Sequence, residues 1–245
     1  MLRILAAVVL IMALHTAAIA QSPDAAVAPM EVIARVRARY RAGPVCERMR
    51  IEVRADSGRV ARSWVVARMD GRKALLLDLG TLRIAADDRS VTAVHERNPQ
   101  TYFSAALPGT GELTLERLWQ AIPPVPLPQF DLAWADDAER LVTFGVYARD
   151  VRWERAERES RSAPGAQQRM LVTGVCDRGR VTMTVRGDQL QQVDIRDDVQ
   201  QATIRIQISP VLPCRSEEMR LAVEGRTAVA ALSDLQPRSG VLRIG

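Results

Sequence analysis

ARSWVVARMDGRKALLLDLGTLRIAADDRSVTAVHERNPQTYFSAAL, residues 61–107, is a train of short apolar runs cut by turn residues. Arg62–Met69 is strand-like and ends at Asp70-Gly71. Lys73–Leu79 is a second run, closed by Gly80. Thr81–Ala86 is a third, closed by Asp87-Asp88. Ser90–His95 is a fourth, and Thr101–Ala106 follows a break at Pro99. Aspartate-glycine between alternating runs signals a hairpin, because a type I′ turn needs positive φ at both central positions. The stretch therefore predicts an antiparallel meander with one strand per run. Leu75-Leu76-Leu77 is apolar on both faces, which places its strand mid-sheet or under a covering helix.

Upstream, Val45–Ala55 alternates Met49, Ile51 and Val53 with Arg48, Arg50, Glu52 and Arg54, a strand with one dry and one wet face. Before it, Met30–Arg41 repeats Val32, Ile33, Val36 and Tyr40 at helical spacing, and Gly43-Pro44 ends that helix. Downstream, Thr114 is placed to cap a helix over Leu115–Ile122, with Leu115, Leu118, Trp119 and Ile122 on one face. Pro123–Pro128 then predicts an extended crossing segment, with Phe130, Leu132 and Trp134 as apolar pegs. Strands follow at Leu141–Tyr147, Val151–Glu159, Arg169–Asp177, Arg180–Arg186, Gln189–Arg196 and Gln201–Ser209. Glu217–Val223 reads as a short helix, and Ala228–Leu235 fits helix or strand. The fold class expected is α+β: one large curved antiparallel sheet, an incomplete barrel, with a few covering helices. It forms a single domain over residues 30–236, with a tail at 237–245.

The chain opens with Arg3, an apolar run from Ile4 to Leu14, and Ala18-Ile19-Ala20, the pattern of a signal peptide over residues 1–20 cleaved before Gln21. Residues 21–29 read as a linker. This predicts a periplasmic or secreted protein. The 245 residues carry a net charge of +5, almost all of the positive charge from arginine, with Lys73 the single lysine. Acids are interspersed throughout, so no concentrated basic tract marks a nucleic-acid footprint. Of Cys46, Cys176 and Cys214, an exported chain pairs two. Cys176–Cys214 is the favoured pair, since both sit near strand ends of the C-terminal half.

The catalytic inventory is thin. His95 is the one histidine beyond the leader, and a zinc site wants three or four protein ligands. A triad would need His95 with Ser90 or Ser104, and no Gly-x-Ser-x-Gly supports it. The acid pairs Asp87-Asp88, Asp136-Asp137, Asp197-Asp198 and Glu217-Glu218 fall at turns or point to opposite faces of strands. No phosphate-binding glycine loop is present. The expectation is a non-enzyme with no cofactor and no metal.

The order of signal, helix, meander, proline-flanked short helix and second meander resembles the LolA-like superfamily of periplasmic lipoprotein and lipid carriers. The closest echo runs from Arg68-Met69-Asp70-Gly71 through Asp87-Asp88 to Asn98-Pro99-Gln100-Thr101-Tyr102, then to Leu115, Leu118, Trp119 and Pro123–Pro128. The resemblance implies a half-barrel lidded by helices. On the residues themselves, a concave face carrying Trp64, Val66, Leu75, Leu77, Leu82, Ile84 and Tyr102, capped around Val36, Leu118 and Trp119, makes an apolar lining. Such a lining holds an acyl chain of a lipid or lipoprotein, because apolar burial stabilises by about 25 cal/mol per Å² and needs no fixed partner. A carrier of this kind is expected to be a monomer in transient contact with a membrane or an envelope protein. The alternative is a protein-interaction or envelope-assembly module whose apolar face is a filled core. An enzyme with a non-standard site centred on His95 is the third reading.

Overall fold

In the computed structural model the described residues are 27–71, 73–122, 127–134, 150–159, 168–214 and 219–235. The alternating runs form strands β1 (Pro44–Ala55), β2 (Val60–Asp70), β3 (Ala74–Asp78), β4 (Leu82–Asp87), β5 (Ser90–His95) and β6 (Asn98–Ala106). The second half supplies β7 (Arg152–Arg158), β8 (Arg169–Cys176), β9 (Gly179–Arg186), β10 (Gln189–Asp197), β11 (Ala202–Pro210) and the short β12 (Thr227–Val229). All twelve join one sheet in the order β12-β6-β5-β4-β3-β2-β1-β11-β10-β9-β8-β7, which does not close into a barrel. It is two meanders, β1 to β6 and β7 to β11, each built from neighbours in sequence. They meet where β1 lies antiparallel to β11, from Glu47 opposite Pro210 to Ala55 opposite Ala202. Of these twelve strands, only β12 is parallel to its neighbour, β6.

Among the described residues three helices complete the α+β fold: α1 (Pro29–Ala42), α2 (Leu115–Ala121) and α3 (Pro128–Trp134). Pro29 sits in the first turn of α1, where its missing N–H costs no intrahelical bond. Thr114 caps α2 as its sequence suggests, its hydroxyl accepting from the Arg117 N–H at 3.3 Å. The Arg117 guanidinium reaches back to the carbonyls of Asp88, Pro108, Gly111 and Glu112 at 2.6–2.8 Å, fixing the loop that feeds the helix. Thr114→Ala is expected to cost about 1 kcal/mol. Chemical denaturation reads this as a lower midpoint at unchanged slope; an unchanged midpoint would show that Arg117 alone fixes the helix start.

Several sequence expectations change. Asp70-Gly71 is not a two-residue turn: Asp70 pairs with Ala74, and the Lys73 N–H closes on the Asp70 carbonyl at 2.9 Å, with Gly71 at φ +51°. Pro128 does not extend the proline segment but begins α3, because proline is as well placed at the first position of a helix as in an extended run. Residues 219–223 add no α-helix among the described residues, and Ala228–Leu235 divides into the end of β12 and a 3-10 turn at Leu232–Leu235. Leu141–Tyr147 lies outside the described residues.

The disulfide is Cys46–Cys214, not Cys176–Cys214. The reason is the β1–β11 register. It brings Pro210 opposite Glu47, and the Val211 N–H donates to the Cys46 carbonyl at 2.8 Å, so the departing chain passes Cys46 and the two Cα atoms lie 5.4 Å apart. Cys176 stays a free thiol, donating to the Gly179 carbonyl. Residues 219–235 lie back on the sheet as a strap. Cys46, Arg68, Leu76 and Ala85 are successive register partners on one face, and Met219 packs on Leu76 and Ala85 with Leu221 beside it. That cover explains why β3 is apolar on both sides. The strap then adds β12 to the β6 edge and buries Leu235 in the main core.

Candidate ligand-binding face

Strand alternation sorts the side chains onto two faces. One face bears Val45, Glu47, Met49 and Ile51 from β1, which register with Met69, Ala67, Val65 and Ser63 of β2. Across β3 and β4 the same face continues as Leu75, Leu77, Ile84 and Ala86, and in β5 as Ala93 and Val91. These apolar side chains form one cluster with the buried residues of the three helices. This is the lidded face.

Of the expected lining, Leu75, Leu77, Leu82 and Ile84 share that face, with Leu118 buried and Trp119 half-buried on α2. Trp64, Val66 and Tyr102 do not. Trp64 registers with Arg50, Val66 with Arg48 and Asp78, and Tyr102 adjoins Phe103, whose partner Ala93 is on the lidded side. They point to the opposite, outer face. Trp64-Val65-Val66-Ala67 is apolar at every position and Tyr102-Phe103 is aromatic at both, so hydrophobicity alone does not set their phase, and one residue of phase exchanges the faces.

α1 rests on this face through Val32, Ile33, Val36 and Tyr40, none of which has exposed area. It packs against α3 and along β7, β8 and β10. The Arg41 Nε donates to the Ala133 carbonyl of α3 at 2.8 Å, clasping the two helices to each other. On the β3 part of the same face Leu75 and Leu77 have no exposed area, so nothing the size of water lies against them.

Polar groups are buried in the same layer. Glu47, wholly buried, accepts from the Tyr40 hydroxyl at 2.9 Å, and Arg39 approaches its other oxygen at 3.9 Å. The other end of Arg39 faces Asp188, in the β9–β10 turn, at 3.8 Å. Burial pushes the Glu47 carboxyl up to about 7, against the opposing pull of the Tyr40 hydrogen bond and Arg39. Burial, with the Glu47 charge beside it, also raises the Tyr40 phenol. On α3, burial raises the Asp131 carboxyl well above its ordinary range. Gln129 beside it is 1% exposed, and neither polar atom of its side chain has a hydrogen-bond partner among the described residues. The Trp119 indole N–H is likewise buried without one.

The sequence reading missed Glu47 and Gln129. Glu47 was detectable, since it shares the parity of Met49, Ile51 and Val53 and so falls on the dry face. Gln129 was not, because its helix was hidden behind the proline run. His95 lies buried at the end of β5, its Nδ1 accepting from the Arg97 N–H at 3.2 Å. Ser104 is on the outer face, beside Thr92. Ser90 donates its backbone N–H to the Asp87 carboxylate, which caps the β4–β5 turn, at 2.8 Å. Among the described residues no three side chains cluster as a metal site would require.

No family model matches the chain, and no curated protein does. Solved structures similar to it include a LolA superfamily protein from Nitrosomonas europaea, 9% identical over 80% of this chain and 99% of that one, with a TM-score of 0.34. Another is a DUF1329 family protein from Desulfovibrio piger, 11% identical over 86% and 100%, with a TM-score of 0.32. Identities and TM-scores this low carry no argument about what the chain binds.

Proposed function

We propose that the chain is an exported binding protein that holds a hydrophobic ligand, the acyl chain of a lipid or lipoprotein, between its lid helices and the apolar face of its unclosed sheet. The observation that carries this is Gln129. A buried amide with no partner costs about 1–3 kcal/mol, and it sits on a lid helix whose neighbours Leu132 and Ala133 belong to the apolar core. A ligand with an apolar body and one ester or carboxyl group offers that amide a partner while its chain replaces the contacts of the lid. Because Leu75 and Leu77 are fully covered, entry requires the cover of the apolar face to open, and within that cover α1 and α3 are clasped helix to helix by Arg41. Export is supported by the leader-like residues 1–20 and by the disulfide, which persists in oxidising compartments. The acyl reading also makes the protein a non-enzymatic monomer that meets a membrane or envelope protein only in passing.

The full burial of Leu75 and Leu77 favours a second reading, an interaction module whose core is simply filled. Native mass spectrometry with lipid extraction, on protein isolated without detergent, separates the two. The carrier reading expects an acyl species, or uptake of a fluorescent fatty acid, weakened by Leu77→Phe and by Gln129→Leu at unchanged fold. A bare protein mass with no uptake removes the carrier reading and leaves the filled core.

A further inference from the structure

The outer face of the sheet carries a second recess, opposite the lidded one and independent of it. Arg48, Arg50, Arg62, Ser63 and Trp64 border an open recess of about 480 Å³, within the roughly 300–1,000 Å³ of small-ligand sites. Arg48 and Arg50 are two apart on β1, so their guanidinium groups leave the strand on the same side. Arg62 is already held by Glu52, its Nε at 2.8 Å from the carboxylate, and Arg54 shares that acid at 3.0 Å. Arg48 and Arg50 have no ion-pair partner among the described residues. The register sets Trp64 directly beside Arg50. One edge of its ring lies over Gly80, where an added Cβ would stand 3.5 Å from the indole, and the residue keeps 48% of its area exposed. Two uncompensated planar donors therefore stand next to a half-exposed indole.

We infer that this recess binds an acidic carbohydrate, with a sugar ring stacked on Trp64 and its carboxylates gripped by Arg48 and Arg50. Guanidinium forks match carboxylate geometry bidentately, and they are the donors left unused in this recess. An open indole face suits the C–H face of a sugar ring. A flat anionic membrane fits less well. The arginines line a recess and do not form a flat or projecting patch. A nucleotide fits less well too, because the lining side chains on this face are arginines and one indole, with no amide or carboxylate among them to read a base edge.

The test is calorimetric titration of the mature protein with tetragalacturonate. Maltotetraose, inorganic phosphate, adenosine monophosphate and phosphatidylglycerol vesicles serve as competing probes. The expected result is tetragalacturonate binding that weakens as salt rises, and by about tenfold or more in Arg48→Gln/Arg50→Gln. Trp64→Leu weakens it as well, and maltotetraose binds far less. Arg48→Lys/Arg50→Lys keeps the charge without the fork and is expected to fall between. Circular dichroism confirms that the variants stay folded; all three positions are exposed. Equal binding of the neutral sugar, indifference to both the arginine and tryptophan changes, no tetragalacturonate binding, or tighter binding of vesicles, phosphate or nucleotide each overturns the inference.

Discussion

Replacing Cys46 and Cys214 together by alanine is expected to lower the thermal midpoint by about 10–20 °C, more than the loss of any single hydrogen bond or cap in this fold. The bond joins positions separated by 168 residues. On the chain-entropy account, a loop of that length restricts the unfolded ensemble by about 5 kcal/mol. It also fixes the start of the strap, so its loss frees Met219 from Leu76 and Ala85 and weakens the hold of β12 on β6. Scanning calorimetry of the double variant against the parent reads the effect, and a reducing agent on the parent should reproduce it. Cys176→Ala, at a free thiol, is the control and should move the midpoint little. A double variant that melts within about 3 °C of the parent would mean that the strand register alone holds the strap, and the entropic assignment would fail.

The second large effect is a slope of stability with pH. The Glu47 carboxyl is held at about 7 against an ordinary 4.5, because it is buried. Below 4.5 both the folded and the unfolded chain carry the proton, and Glu47 contributes no pH dependence. Between 4.5 and 7 the unfolded chain gives its proton up while the folded chain keeps it. Unfolding is favoured progressively as pH rises, and above 7 the loss is complete. The size is about 3 kcal/mol. Asp131, raised by the same cause, adds a loss of the same sign that begins lower, near its own ordinary value of 3.8. Glu47→Gln keeps a partner for the Tyr40 hydroxyl and cannot ionise, so it should remove the Glu47 share of the decline between pH 5 and 7, leaving that of Asp131, and be the more stable protein at pH 8. Denaturation midpoints across that range measure it. A variant retaining the full parental slope would sink the assignment to Glu47.

Much of this architecture is legible in the residues. Val45–Ala55 states its own phase, because arginine and glutamate alternate with Met49, Ile51 and Val53. The two meanders are countable from Gly80, Asp87-Asp88, Arg178-Gly179 and Gly187-Asp188. What escapes is whatever depends on partners distant in sequence. Trp64-Val65-Val66-Ala67 carries no polar residue to mark which side is wet, so its facing is decided by pairing with Arg50 and Arg48. Cys46 finds Cys214 only because β1 lies against β11. The site divides the same way. Leu75, Leu77, Leu82 and Ile84 fall on one face by simple alternation, whereas the lid chemistry of Gln129 and Asp131 depends on a helix that begins at a proline.

The seam between β1 and β11 also sets an order of assembly. Each meander consists of neighbouring strands, so either can zip up from contacts close in sequence while the chain is still being delivered. The seam cannot: the partners of β1 lie between Ala202 and Pro210, and until they arrive β1 is a bare strand edge beside an apolar face. The interval between the first meander and the seam is therefore when the chain is most exposed to aggregation or to pairing with a second copy. Once the seam is closed, Cys214 is held beside Cys46, so the disulfide locks the two meanders together at their junction.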